Sequence, residues 1–186
     1  MDFSKLVNEW GRILQGEKPS KLTPSEGAEA LAISGFPSGF FFAIGTGFFM
    51  KMDPVNILLY ALLMLILFNF LSFPLGLVSD IFYFLLLSIS TSKPLKVRAV
   101  SIPVNLVHSL FLVMASIFYA MGGYLVNLSQ QASSIFTLCA LAFLLPYYCY
   151  AMGKALSGFV SFRKGAILSS ILPISAILIS LGLRFQ

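Results

Sequence analysis

The sequence predicts an all-α fold: a polytopic transmembrane helical bundle of five spans, with a cytoplasmic N-terminus and an N-terminal amphipathic interfacial helix. Hydrophobic residues make up 58% of the 186 residues and charged residues only 10%, whereas soluble domains carry about 25% charged residues. Long apolar stretches recur along the chain, and about 20 apolar residues suffice to cross a bilayer. The basic residues lie between these stretches, where lysine and arginine mark the cytoplasmic side.

Residues 1–22 are predicted to form a cytoplasmic arm. Apolar residues recur at helical spacing from Phe3 to Leu14, with Trp10 among them and polar residues between them. Such a helix is suited to the membrane interface, with its tryptophan at headgroup level. The alternative is a helix that packs on the protein's own surface.

Residues 23–186 are predicted to form one membrane domain. Thr23, Pro24 and Glu26 have the spacing of a capping box with proline at the first helical position, and Asp53 precedes a second such proline. A kink is expected at residues 35–39, which contain a proline and two glycines. The predicted spans are residues 24–51, 54–90, 100–126, 134–154 and 165–183.

The longest apolar stretch, residues 54–90, permits two topologies, since Pro74 marks a break within it. It forms either one long broken helix or two short crossings. With one crossing, ten of the twelve lysines and arginines fall on one side, and only Lys51 and Arg184 lie opposite. The excess of basic residues in cytoplasmic loops therefore favours one crossing.

Asp80 and His108 are the acid and the histidine that lie inside apolar sequence. Counted from the basic loop between their segments, they lie at similar depths, on the order of 12–15 Å. Ionisable residues inside a membrane face the protein interior and are candidates for function, so the two are predicted to be neighbours. The alternative is structural: Asp80 caps the second half of a broken helix, and His108 donates to a backbone carbonyl.

Other polar residues complete the predicted sites. Asn105 joins the candidate buried polar site, together with Tyr147 and Tyr150, while Asn56 and Asn69 are predicted to form interhelical hydrogen bonds. The predicted membrane-interface residues are Trp10, Lys93, Lys96, Arg98, Arg163 and Lys164.

The sequence predicts no enzymatic activity and no cofactor. It has no phosphate loop, no nucleophile elbow and no cysteine–histidine metal spacing. The net charge of +5 does not indicate nucleic acid, because the basic residues sit in loops beside apolar stretches. The expected partners are the lipid bilayer and a protein partner or a second copy of the chain.

The sequence resembles the Yip-one-domain family, small five-span membrane proteins named for interaction with Ypt/Rab GTPases, which also have bacterial and archaeal members. The resemblance rests on residues 10–14 (WGRIL), 99–103 (AVSIP), 147–153 (YYCYAMG) and 161–166 (SFRKGA). It implies a five-span fold with a cytoplasmic N-terminus. Because the long cytosolic N-terminal region of the eukaryotic members has no counterpart, the resemblance implies a small prokaryotic-type protein of the cytoplasmic membrane.

Two functions follow from these observations. The first is a non-enzymatic scaffold or adaptor that acts through partner or lipid contacts, in membrane organisation or a trafficking-like role. The alternative is a small channel or proton-linked transporter that uses a buried pair of Asp80 and His108.

Overall fold

A computed structural model describes residues 1–20, 22–92 and 94–184 of the protein, with side chains described as far as residue 175. Every regular element in this part of the chain is helical, which confirms the predicted all-α fold. A short 3₁₀ turn at Leu156–Gly158 precedes the last helix. The helices are α1 (Phe3–Leu14), α2 (Pro24–Phe49), α3 (Pro54–Ser90), α4 (Val97–Val126), α5 (Gln130–Ala155) and α6 (Phe162–Arg184).

The starts of α2 and α3 follow from local sequence chemistry, as predicted. The Thr23 hydroxyl accepts from the Glu26 backbone N–H, and the Glu26 carboxylate accepts from the Thr23 N–H at 2.8 Å. Asp53 caps α3 by accepting from the N–H groups of Val55 and Asn56, each at 3.0 Å. The Asn56 side chain also donates to Asp53, so the prediction that Asn56 joins two helices is wrong.

Four helical stretches in the described part of the chain are long and apolar enough to cross a membrane: Ser25–Phe49, Pro54–Ser90, Val97–Val126 and Gln130–Gly158. Five spans were predicted, and the fifth, residues 165–183, falls in α6. Side chains of α6 beyond residue 175 lie outside the described residues. Large apolar side chains cover the outside of α3, where Phe70 is 76% and Ile89 85% exposed. Such a surface suits lipid rather than water, which supports an integral membrane protein.

The predicted break at Pro74 is not found, because α3 continues without interruption from Pro54 to Ser90. The helix contains 37 residues, about 55 Å at 1.5 Å per residue, against a hydrocarbon core of about 30 Å. One helix therefore replaces the alternative of two short crossings. The helix α2 likewise continues through Pro37. Membrane helices tolerate proline where neighbouring helices and serine hydroxyls support the backbone.

The helix α4 lies at the centre of the bundle, because it contacts α1, α2, α3 and α5, and α2 packs most extensively against α4 and α3. Glycine permits the closest approaches. A Cβ added at Gly39 would lie 2.4 Å from the carbonyl oxygen of Met64 on α3, and one added at Gly123 would lie 2.5 Å from the carbonyl oxygen of Gly45. Small residues at such crossings let membrane helices pack backbone to backbone.

One end of the bundle collects the basic segments of the chain. The Lys164 Nζ at the start of α6 donates to the carbonyl oxygen of Ser90 at the end of α3, at 2.5 Å. The Tyr147 hydroxyl on α5 donates to the carbonyl oxygen of Leu14 at the end of α1, also at 2.5 Å. The arm, the loop before α4 and the loop before α6 are thus adjacent. Lys51 lies in the turn between α2 and α3, at the opposite end.

Candidate functional site

The predicted polar site is centred on a contact between α3 and α4. Asn105 Nδ2 donates to Asp80 Oδ2 at 3.2 Å, and both side chains are buried, with 5% and 7% exposed. Asp80 lies ten residues from the end of α3, and Asn105 lies eight residues from the start of α4, or roughly 15 and 12 Å from the basic end. The depth inferred from the sequence matched Asp80 with His108, whereas Asp80 meets Asn105, three residues earlier on α4.

Asp80 and His108 do not form the predicted pair. No hydrogen bond or ion pair joins them among the described residues, and His108 Nδ1 instead lies 3.0 Å from Ser79 Oγ. Successive residues of a helix point about 100° apart, so Ser79 and Asp80 face different neighbours. Asp80 faces a cavity shared with Leu31 of α2, while Ser79 faces His108. The alternative roles are also wrong, since α3 is continuous at Asp80 and the His108 ring contacts side chains.

His108 begins a chain of hydrogen bonds that crosses the bundle. Its Nε2 lies 2.6 Å from the Tyr148 hydroxyl on α5, which lies 2.7 Å from the Tyr83 hydroxyl on α3. Tyr83 in turn donates to the carbonyl oxygen of Ser169 on α6 at 3.4 Å. That carbonyl has no helical partner, because residue 173, four positions on, is a proline without an N–H. This chain of hydrogen bonds therefore joins α3, α4, α5 and α6.

The carbonyl of Ser169 determines which group donates in each of these hydrogen bonds. A carbonyl only accepts, so Tyr83 donates to it, and Tyr148 donates to Tyr83. The His108 Nε2 then carries the hydrogen that Tyr148 accepts, while Nδ1 and the Ser79 hydroxyl share a hydrogen bond.

Two cavities adjoin these residues. The first has a volume of about 80 Å³ and is lined by Asp80, Asn105 and Ser72 as well as apolar residues of α2. The second has a volume of about 340 Å³ and is lined by Ser79, His108 and mostly apolar residues. The two cavities share Leu31, Ser72 and Gly76 as lining residues, so they adjoin one another between α2 and α3.

Tyr147 and Tyr150 are not part of the buried polar site, contrary to the prediction. The Tyr147 hydroxyl donates to the end of α1. The Tyr150 ring lies against Gly16, where an added Cβ would be 2.6 Å from the Tyr150 hydroxyl oxygen, and Lys154 Nζ lies 5.7 Å from the ring centroid. Tyr147 and Tyr150 therefore contact the arm, whereas Tyr148 between them is buried in the bundle.

The arm packs on the bundle rather than resting on lipid alone. Leu6 and Ile13 are 0% and 2% exposed and belong to the main hydrophobic core. The Trp10 indole N–H donates to Ser109 Oγ on α4 at 2.9 Å. The alternative of a helix packed on the protein's own surface therefore describes this face of α1, and the contact of Trp10 with the membrane interface stays a prediction.

Buried and charged groups fix the arm further. Glu9 is 5% exposed and accepts from the Ser20 N–H at 2.8 Å, which folds the linker back onto α1. Lys5 donates to Glu26 at the start of α2, and this hydrogen bond raises the pKa of the Lys5 side chain. The Arg12 Nε donates to Glu17 at 2.9 Å, which raises the pKa of the guanidinium.

The predicted basic interface residues lie at one end of the bundle. Lys96, Arg98 and Arg163 are exposed, and the exposed Lys164 contacts α3. Lys93 lies outside the described residues. Their contact with lipid headgroups stays a prediction.

Four residues of the hydrogen-bonded chain were not among the predicted site residues: Ser79, Tyr83, Tyr148 and Ser169. Serine and tyrosine are frequent in apolar segments, so none of them stands out alone. The one available signal was the spacing of Ser79, Asp80 and Tyr83, which places polar groups on neighbouring faces of one helical turn.

The described residues include no group of three or more His, Cys, Asp or Glu side chains placed to hold a metal ion. Comparisons with known proteins add no assignment: no family, no curated protein and no solved structure matches this chain. The resemblance to the Yip-one-domain family stays a prediction.

Proposed function

We propose that this chain is a five-span membrane protein, with its N-terminus and basic end in the cytoplasm, that acts as a non-enzymatic scaffold or adaptor. Its proposed setting is the cytoplasmic membrane of a prokaryote, and its proposed kinship is with the Yip-one-domain proteins. The five-span topology is supported by the basic segments that meet at one end of the bundle. The adaptor role is supported by the arm.

The observation that carries the proposal is a second apolar stripe on α1. The stripe formed by Leu6 and Ile13 faces the core, while the stripe formed by Phe3, Val7 and Leu14 is 58%, 43% and 46% exposed. At 100° per residue the two stripes lie about 90° apart on the helix. A docked helix that still presents large apolar side chains at its surface is suited to the headgroup region of a membrane.

A matched pair of tryptophan probes tests this contact. The chain has one tryptophan, so Trp10→Phe gives a background in which Val7→Trp reports the exposed stripe and Asn8→Trp reports the polar face. In liposomes that contain lipids brominated near the headgroup, we expect strong quenching at position 7 and weak quenching at position 8. Equal quenching at both positions would contradict lipid contact through this stripe.

A second candidate function is a small channel or proton-linked transporter, favoured by the hydrogen-bonded chain from Ser79 to Ser169. Such a chain moves a proton when each hydroxyl passes one on and then rotates. Proton flux into proteoliposomes should then fall in His108→Gln and persist in Ser116→Ala, since Ser116 is buried on the same helix but bonds only to its own helix. Equal flux in wild type and His108→Gln argues against this function.

A further inference from the structure

Two buried oxygen atoms on neighbouring helices have no hydrogen-bond partner among the described residues: Asp80 Oδ1 and Asn105 Oδ1. Both side chains are more than nine-tenths buried. The other Asp80 oxygen accepts from the Asn105 amide, so the pair is held together while one acceptor oxygen of each residue is left over. Buried acceptors without a donor are rare in folded proteins, so the two oxygens point to a bound group that satisfies them.

The unpaired oxygens border a partly open cavity. Asp80 and Asn105 line the cavity of about 80 Å³ between α2, α3 and α4. A Cβ added at Gly76, another lining residue, would lie 3.5 Å from Asn105 Oδ1. The Ser72 hydroxyl also lines the cavity and donates its hydrogen to the Asn69 carbonyl at 2.8 Å, so its lone pairs remain available. A water needs roughly 10–15 Å³ of such space, so this cavity has room for a ligand and waters.

The charge of the site selects the ligand. No lysine, arginine or histidine lines this cavity, and Asp80 forms no ion pair in the described part of the chain. An unpaired carboxylate in apolar surroundings is unfavourable until a positive charge joins it. Carboxylate, amide and hydroxyl oxygens are ligands for hard cations. One negative charge is neutralised by one monovalent cation, whereas a divalent cation would leave an uncompensated positive charge.

We propose that Asp80 and Asn105 form a binding site for one monovalent metal cation of the alkali class, in the cavity that Ser72 also lines. The site lies beside the cavity that His108 lines and is independent of the arm and its lipid contact. The cation contacts Asp80 Oδ1 and Asn105 Oδ1, and waters complete its shell.

Thermal unfolding in detergent tests the site. The purified full chain is heated at fixed pH and ionic strength in choline chloride, with choline replaced stepwise by Na⁺, K⁺ or Li⁺. At a cation concentration about 100-fold above Kd, we expect a saturable rise in Tm on the order of 5 °C over choline for at least one of the three. Identical Tm in choline and in all three cations overturns the proposal.

Three variants locate the effect. Asp80→Asn keeps the shape of the side chain but removes its charge, so the rise in Tm should vanish. Gly76→Ala fills space beside Asn105 Oδ1 and displaces only the end of the Leu31 side chain. Alanine also favours the helix, so this variant should fold and need a several-fold higher cation concentration. His108→Gln should respond as wild type.

The same measurements distinguish a cation bound at Asp80 from a proton bound there. If Asp80→Asn keeps the wild-type response, the cation binds elsewhere and the proposal is wrong. If the wild-type Tm changes with pH but not with any alkali cation, Asp80 Oδ1 binds a proton instead of a cation. That result also overturns the proposal.

Discussion

Removal of the Tyr148 hydroxyl should destabilise the bundle through two lost hydrogen bonds. Tyr148→Phe keeps the ring and its packing, but loses the contacts to His108 Nε2 at 2.6 Å and to the Tyr83 hydroxyl at 2.7 Å. Hydrogen bonds between membrane helices contribute about 0.6 kcal/mol on average and up to about 1.7. The expected loss is therefore about 1–3 kcal/mol in the free energy of unfolding.

A double-mutant cycle isolates the bond that the two tyrosines share. Tyr83→Phe loses that bond and the longer one to Ser169, for an expected cost of about 0.6–2 kcal/mol. The double variant loses the shared bond only once, so its cost should fall short of the sum by about 0.6–1.7 kcal/mol. Equilibrium unfolding in mixed detergent and dodecyl sulfate micelles provides the four free energies.

Tyr147→Phe is the matched control for this cycle. Its hydroxyl bonds to the end of α1 and not to the interior of the bundle, so the variant should loosen the arm and show no coupling to Tyr83→Phe. Strictly additive costs for Tyr83→Phe and Tyr148→Phe, or equal coupling with the Tyr147 control, would refute the hydrogen-bonded chain.

Three further predictions address the topology, the packing and the capping. Single cysteines at Lys51 and Lys96, which flank α3, should react with impermeant reagents from opposite sides of the membrane, and labelling of both from one side would contradict the single crossing of α3. Gly123→Ala should cost about 1–3 kcal/mol, measured by unfolding, because its Cβ would meet the Gly45 carbonyl oxygen; an unchanged stability would contradict this contact. Hydrogen bonds from the first turn of α3 lower the pKa of Asp53, so the stability contributed by this cap should be present at neutral pH and lost as pH falls through the lowered pKa. Asp53→Asn should remove this acid dependence.

Local chemistry predicted the beginnings of the helices well. The Thr23 capping box and the Asp53 cap form within a few residues of the chain, so their sequence signals suffice. The predicted break at Pro74 was wrong for the opposite reason. Proline disfavours a helix locally, but the length and packing of α3 carry the helix through it.

The depth of a residue along its helix was also predictable, whereas the direction in which its side chain points around the helix was not. A residue count from the basic loop placed Asp80 level with the polar residues of α4. It could not show that Asp80 meets Asn105 while Ser79 meets His108, because a change of one residue turns a side chain by about 100°. The rotation of α3 is set by its contacts with α2 and α4.

The sequence by itself determined that the chain is helical and apolar, where α2 and α3 begin, and that its basic residues fall in a few loops between apolar helices. Only the tertiary structure decided which polar groups meet. Tyr83 and Ser169 are 86 residues apart in the chain, and no local pattern encodes their contact. Their meeting depends on how α3 and α6 are held in the bundle, since long-range packing alone fixes which helix faces are in contact.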